Sequence, residues 1–386
     1  MILPTGTSLF IEPLDTLALR GNRLFGDPGS YGEALMPPWP SVAAGAIRSW
    51  MLAAEGLDLA AFAAGQVPHP TLGTPAQPGS FTLAAFHLAR RLANGSIGLL
   101  YAPPADLEIV ETAQAGVVTP TVTVRRMKPT PLHTALACSA SLQRVPVLAQ
   151  DSRAKPVAGR WLTAQGWLAY LRGHAVEPGH LLKSSELWDF DHRVGLAIDA
   201  ALGRAEDSKL FSLNVVVMRQ GVGFAARVAG AQPPASGMLR LGGDGRGAQV
   251  QQAEIAWPQP DFNAIAKAGK ARLVLTSPGV LQQGWLPTGT TRADANTLCF
   301  DQHGVSGRLV AACVPRAEVV SGFDLAQWQP KPAQRAAPTG SVYWLDQLKA
   351  KPDALRKLAE TGLWADAQPH DPRRAEGFNR FSFAAF

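Results

Sequence analysis

The sequence predicts an α+β fold in two similar-sized halves, and three observations predict it. Short apolar, often β-branched runs recur along all 386 residues, helix-like stretches between them are few, and this mixture appears twice over. The 31 prolines and 37 glycines punctuate the runs, which implies many turns and irregular insertions and leaves little room for long helices. With 46% hydrophobic and 17% charged residues, the chain has the composition of a folded globular protein and the length for two domains.

Taken in order, residues 8–19 begin as a buried strand that Pro13 turns into an edge, bulge or exit, because proline cannot donate to a ladder. Arg20-Gly-Asn-Arg23 is a basic loop, open to either an anion contact or a solvated turn. Residues 36–48 stop that loop and start a helix with Ser41 as the expected N-cap; Arg48 falls one to two turns in, facing solvent or a ligand. For residues 81–94, periodicity leaves helix and strand both open. Residues 97–106 read as a strand running into a Pro-rich turn, and residues 117–148 as extended, basic insertions carrying Arg125, Arg126 and Lys128.

Trp161-Leu-Thr-Ala-Gln-Gly-Trp-Leu-Ala-Tyr-Leu reads as a short amphipathic helix with Thr163 as a cap. In Glu186-Leu-Trp-Asp-Phe-Asp-His-Arg193, Asp189, Asp191 and His192 lack a second cluster at ligand spacing, so a surface hydrogen-bond network is preferred to a metal site. Gly221-Val-Gly-Phe-Ala-Ala resembles a dinucleotide fingerprint, yet Pro233 and Pro234 leave about two turns at 3.6 residues each, too short for a parallel crossover. A hairpin turning at residues 220–223 accounts for it better. Residues 272–276 and 309–314 read as buried strands, residues 261–270 and 353–361 as short helices, the second with Pro352 at its start. Residues 330–338 form an extended basic loop, and the chain ends on a glycine followed by a strand-like segment.

The stretch Gly237-Met-Leu-Arg-Leu-Gly-Gly-Asp-Gly-Arg-Gly-Ala-Gln-Val250 breaks a strand pattern with five glycines and two arginines. Glycines let main-chain N–H groups approach a ligand, and Arg240 and Arg246 supply charge for an anion such as phosphate. A hairpin turn with two solvated arginines fits the stretch equally well. The net charge of +6 points towards an anionic partner. The N-terminus lacks the basic region and apolar core of a secretory signal and no apolar run approaches a membrane span, so a cytoplasmic protein without a membrane partner is expected. Cys138, Cys299 and Cys313 have no paired ligand spacing and are expected as buried small hydrophobes. No phosphate-binding loop, zinc-protease helix or nucleophile elbow is present, and no metal or cofactor is called for. His133 and His192 are the histidines a ribonuclease reading would draw on.

An ordered set of segments resembles the Cmr3-type RAMP subunit of type III-B CRISPR effector complexes. The set comprises Phe10-Ile-Glu-Pro-Leu-Asp, Arg20-Gly-Asn-Arg-Leu-Phe-Gly, Pro37-Pro-Trp-Pro-Ser-Val-Ala-Ala-Gly-Ala-Ile-Arg, Pro103-Pro-Ala-Asp, His192-Arg-Val-Gly-Leu, Lys209-Leu-Phe, Leu241-Gly-Gly-Asp-Gly-Arg, Val320-Ser-Gly-Phe-Asp and Gly340-Ser-Val-Tyr-Trp. The resemblance implies two ferredoxin-like (RRM-like) domains with extended loop and hairpin insertions, residues 1–205 and 206–386, the second carrying the glycine loop 237–250. It implies a non-catalytic subunit that binds and caps the 5′ repeat-derived tag of the CRISPR RNA and contacts the large polymerase-like subunit and the first backbone RAMP subunit. Arg240, Gly242, Gly243, Gly245 and Arg246 are then expected to cradle RNA phosphate, with Arg20, Arg23, Arg48 and Arg193 as further contacts. The alternative is a related RAMP endoribonuclease that processes precursor CRISPR RNA.

Overall fold

The computed structural model describes residues 5–21, 31–32, 34–112, 120–133, 142–149, 155–199, 204–294, 297–366 and 371–386. Arg23, the Asn22 and Leu24 beside it, and Cys138 lie outside the described residues.

Two large antiparallel sheets organise the described chain. The first has eight strands in the spatial order Leu181–Lys183, Arg160–Thr163, Ile97–Tyr101, Thr82–Arg91, Val222–Ala229, Gly6–Pro13, Gly247–Gln252 and Ser236–Arg240. The second has six, in the order Thr290–Asp294, Thr297–Gln302, Val305–Cys313, Val342–Lys349, Ala271–Leu275 and Phe381–Ala384. Residue 205, the expected division, falls inside the strand Arg204–Met218, and the first sheet draws strands from both sides of it.

Alternation along the strands explains why their sequences read as continuous apolar runs. Leu9 and Ile11 enter a core beneath the helix Pro40–Ala54, whereas Phe10 between them enters a core on the opposite face. Val274, Val310, Val342 and Trp344 of the second sheet join Phe10 in that shared core, and Leu273, Leu275, Tyr343 and Leu345 face the helices Phe262–Ala268 and Pro352–Thr361. Both faces of the central strands are covered, so few positions in them are left for polar residues, whereas edge strands such as Ser236–Arg240 and Thr290–Asp294 keep exposed positions. The same double burial settles residues 81–94: Thr82–Arg91 is a strand, with Ala84, Ala85, Leu88 and Ala89 all buried.

Several local expectations are met and several corrected. Thr163 caps the helix Ala164–Leu171 by accepting from the Gly166 amide, but Trp161 and Leu162 before it are strand rather than helix. Pro352 opens its helix, and the helix expected over residues 261–270 is present as Phe262–Ala268; the structure shows Asp261 as its cap, accepting from the Ala264 amide. Ser41 is not the N-cap: the helix begins at Pro40, whose fixed φ suits the first helical position, and Trp39 precedes it without a side-chain cap. The turn at residues 220–223 exists, but it is a corner rather than a hairpin. Arg204–Met218 belongs with Trp188–Asp199 in a separate sheet, while Val222–Ala229 pairs with Gly6–Pro13 and Thr82–Arg91. No helix follows Gly221, which removes the dinucleotide reading.

The basic insertion forms two small hairpins. Leu107–Thr112 pairs with Thr121–Arg126, and Lys128–Pro131 pairs with Arg144–Val147, which contacts Val305–Cys313 of the second sheet. Cys299 and Cys313 are partly exposed rather than fully buried, with the Cys313 thiol near the Ala105 carbonyl and pushed up to about 11 by burial. Among the described residues no helix is long and apolar enough to cross a membrane.

Candidate nucleic-acid interface

The glycine stretch forms a hairpin whose strands Ser236–Arg240 and Gly247–Gln252 pair antiparallel at one edge of the first sheet. Its loop, residues 241–246, is folded inward by one buried side chain, Leu241, and by three left-handed residues, Gly242, Asp244 and Gly245. Gly242 is required there on two counts. Its φ of 80° disfavours an L side chain, and a Cβ would stand 2.8 Å from the Ala18 carbonyl oxygen. Gly245, with φ 63° and no atom within 4 Å of a Cβ, needs only the backbone freedom.

Three segments meet at this loop. The chain leaving Gly6–Pro13 runs past it, with the Leu14 amide donating to Gly247 O and the Gly243 amide donating to Ala18 O. Leu17 bridges in turn to Val216 on the long hairpin of Trp188–Asp199 and Arg204–Met218, through reciprocal bonds of 2.8 and 2.9 Å. Of the loop's own amides, those of Leu241, Gly243 and Arg246 donate within the chain. Those of Gly242 and Gly245 have no acceptor among the described residues.

The arginines expected at the site are distributed by these contacts. Arg246 Nη1 donates to Asp15 Oδ2 at 2.8 Å, and Arg20 stands 4.0 Å from Asp244. Arg193 Nε donates to Asp191 Oδ2 at 2.9 Å, and its charge also reaches Asp15. The Thr16 amide is the largest influence on the Asp15 carboxyl and lowers it; desolvation, next in size, opposes this, and Arg246 and the more distant Arg193 add to the lowering, so the carboxyl is held below the ordinary carboxylate range. Arg240 is exposed at the end of its strand. Three arginines thus stand against three aspartates, and Arg240 beside them adds one further positive charge, so the notch is only slightly cationic. These ion pairs are all partly exposed, with side-chain accessibilities from 29% to 58%. Solvent screens pairs of this kind strongly, so a phosphate can take over a guanidinium at small cost.

Arg48 lies elsewhere. Its guanidinium sits 4.8 Å from the Phe81 ring, its pKa is lowered by burial and partly restored by Glu376, and its buried Nε has no hydrogen-bond partner among the described residues. It is about 200° around the helix from Trp50, the residue that packs on Gly237. The ionisable residues Asp189, Asp191 and His192 each have a partner: Arg219 for Asp189 at 2.7 Å, Arg193 for Asp191, and Asn214 for His192 at 3.1 Å. No group of three metal-ligating side chains occurs among the described residues. Asp15 and Asp244 are the participants that sequence reading missed. Both stand within the family-like segments, but the pairing of Asp15 with a residue 231 positions later has no local signature.

Residues 9–382 match the family model described as CRISPR-associated protein (Cas_Cmr3). The chain belongs to this family. It is a Cmr3-type subunit of a type III-B CRISPR complex. No curated protein matches it in sequence. Among solved structures, the Cmr3-type chain is similar to a chain of "Type III-B Cmr-beta bound to cognate target RNA and AMPPnP, state 1". The identity is 11%, the TM-score 0.48, and the match covers 96% of this chain and 93% of that one. A second, "Type III-B Cmr-beta bound to cognate target RNA", is similar at 12% identity and TM-score 0.43, covering 87% of this chain and 86% of that one.

Proposed function

We propose that this Cmr3-type subunit is a non-catalytic RNA-binding protein that holds the 5′ repeat-derived tag of the CRISPR RNA in the notch formed by residues 15–20, the glycine loop and the base of the long hairpin, and that it anchors the large polymerase-like subunit to the backbone. The observation that carries the reading is the loop itself. Two left-handed glycines with unspent amides lie among Arg20, Arg193, Arg240 and Arg246, and single-stranded RNA is held by such amides and guanidiniums on phosphate. The sequence of the target is then read by base pairing of the guide, and the protein reads a fixed handle.

Sheet membership supports a division of the chain between residues 252 and 271 instead of at 205. The strand order Gly247–Gln252, Gly6–Pro13, Val222–Ala229, Thr82–Arg91, with the helix Pro40–Ala54 between the first and second strands in sequence, fits a ferredoxin-like unit whose second helix is replaced by the Ser236–Arg240 strand.

The test is CRISPR RNA retention by the assembled complex across a salt series. Arg240→Ala with Arg246→Ala is expected to weaken retention and to flatten the log–log salt dependence by roughly 0.7 for each phosphate no longer neutralised. Asp15→Asn is expected to act in the opposite sense, because it releases Arg246. Unchanged RNA content and salt slope in both variants would remove the notch as the RNA site. Site-specific cleavage of repeat RNA by the purified chain would overturn the non-catalytic part.

A further inference from the structure

A second exposed feature lies outside the notch. Residues 318–336 form a narrow arm in which Glu318–Val320 pairs with Gln334–Ala336 and Phe323–Asp324 with Gln329–Pro330. Its base is fixed. Val320 and Ala336 are buried against Trp39, Trp364 and Phe378. Arg373, itself buried, reaches Gln334 Oε1 at 3.0 Å, the Ser321 carbonyl at 2.9 Å and Glu376 Oε2 at 3.1 Å, and Lys331 closes on the other oxygen of Glu376.

The tip is the opposite in character. Phe323, Leu325 and Trp328 are 49%, 70% and 76% exposed, and the two rings stand 5.6 Å apart at 89°. The turn between them is shaped by Asp324 Oδ1, which accepts from the Ala326 and Gln327 amides at 2.9 and 3.2 Å. Trp328 has φ 52°, an unfavourable backbone for a bulky residue. A rigid arm therefore holds two aromatic rings and a leucine in water at a backbone cost.

We propose that this tip is a preorganised anchor that inserts into an apolar pocket on another protein chain of the CRISPR complex. Charge decides between protein and RNA as the occupant. Residues 321–330 contain no lysine or arginine, and their one ionisable group is the carboxylate of Asp324. Lys331 is engaged by Glu376, and Arg335 lies on the base strand. Single-stranded RNA sites pair stacking aromatics with cations on the backbone, and the tip offers none. Buried aromatics delivered by a rigid element are the usual centre of a protein–protein contact, because little side-chain freedom is lost on docking. The inference rests on the chain being one subunit of a multiprotein complex and is independent of the RNA reading of the glycine loop.

The test uses the full chain assembled in the complex from its host, with a photo-reactive benzoylphenylalanine in place of Leu325. Irradiation is expected to join the tip to one other protein subunit, at peptides that map to an apolar pocket. Trp328→Ala is expected to weaken association with that subunit by about 30-fold, the size of a hot-spot truncation, while RNA content and the chain's own thermal midpoint stay unchanged. Crosslinks to RNA, crosslinks to a second copy of this chain, no crosslink in the assembled complex, or undiminished affinity of Trp328→Ala would each overturn the proposal. Loss of RNA in the Arg240 and Arg246 variants reads the notch separately.

Discussion

Asp106→Ala tests how the two sheets are joined. Asp106 follows the first-sheet strand Ile97–Tyr101 and is fully buried, accepting from Arg272 Nη1 at 2.9 Å and from the Tyr170 hydroxyl at 2.8 Å. Arg272 belongs to the second sheet and is 2% exposed; it also donates to the carbonyls of Ala385 at 2.7 Å and Tyr170 at 3.1 Å. The guanidiniums of Arg272 and Arg126 both pack on the Tyr170 ring, at 4.2 and 5.0 Å from its centre. Removing the carboxylate leaves a buried guanidinium uncompensated, which costs about 3–5 kcal/mol. An unpaired Tyr170 hydroxyl adds about 1–3 kcal/mol, but the two share one acceptor group and do not add fully. The expected loss is therefore about 4–6 kcal/mol, a large part of the roughly 5–15 kcal/mol that stabilises a domain. Urea unfolding followed by tryptophan fluorescence and far-UV circular dichroism measures it, and the two sheets should then melt in separable steps. Asp106→Leu combined with Arg272→Met should recover the part due to the uncompensated guanidinium, since an apolar pair carries no desolvation penalty, while the Tyr170 hydroxyl and the carbonyls that Arg272 served stay unpaired. A loss near that of an exposed pair, about 1 kcal/mol or less, would refute the strut.

Two further outcomes follow from burial and backbone geometry. Burial pushes His87 down to about 3, and its Nε2 has no hydrogen-bond partner among the described residues; since an unfolded histidine titrates near 6.5, the unfolded chain gains a proton first as pH falls. Its contribution is constant above about pH 6.5 and is lost progressively down to about pH 3, by up to about 1.4 kcal/mol per pH unit, and His87→Phe should flatten the stability profile in that window. Gly242→Ala should destabilise the chain more than Gly245→Ala, because only the first drives a methyl into the Ala18 carbonyl; thermal midpoints of the two variants compare them directly.

What could be read from the sequence was what a few neighbouring residues settle. Thr163 caps its helix through the amide three residues ahead, Pro352 starts a helix by its fixed φ, and the runs around residues 222–229 and 271–275 are apolar because both faces of each strand are covered. The α+β class and the glycine loop were legible for the same reason, since left-handed turns favour glycine within the turn itself. Partnership across the chain was not. Tertiary structure decided that Val222–Ala229 joins Gly6–Pro13 rather than the strand beside it in sequence, that Arg48 packs on Phe81, and that Asp15 and Asp244 stand against the arginines of the notch. Strand pairing and ion pairing depend on which groups the folded chain brings within hydrogen-bond reach, and residues 15 and 246 carry no local mark of each other.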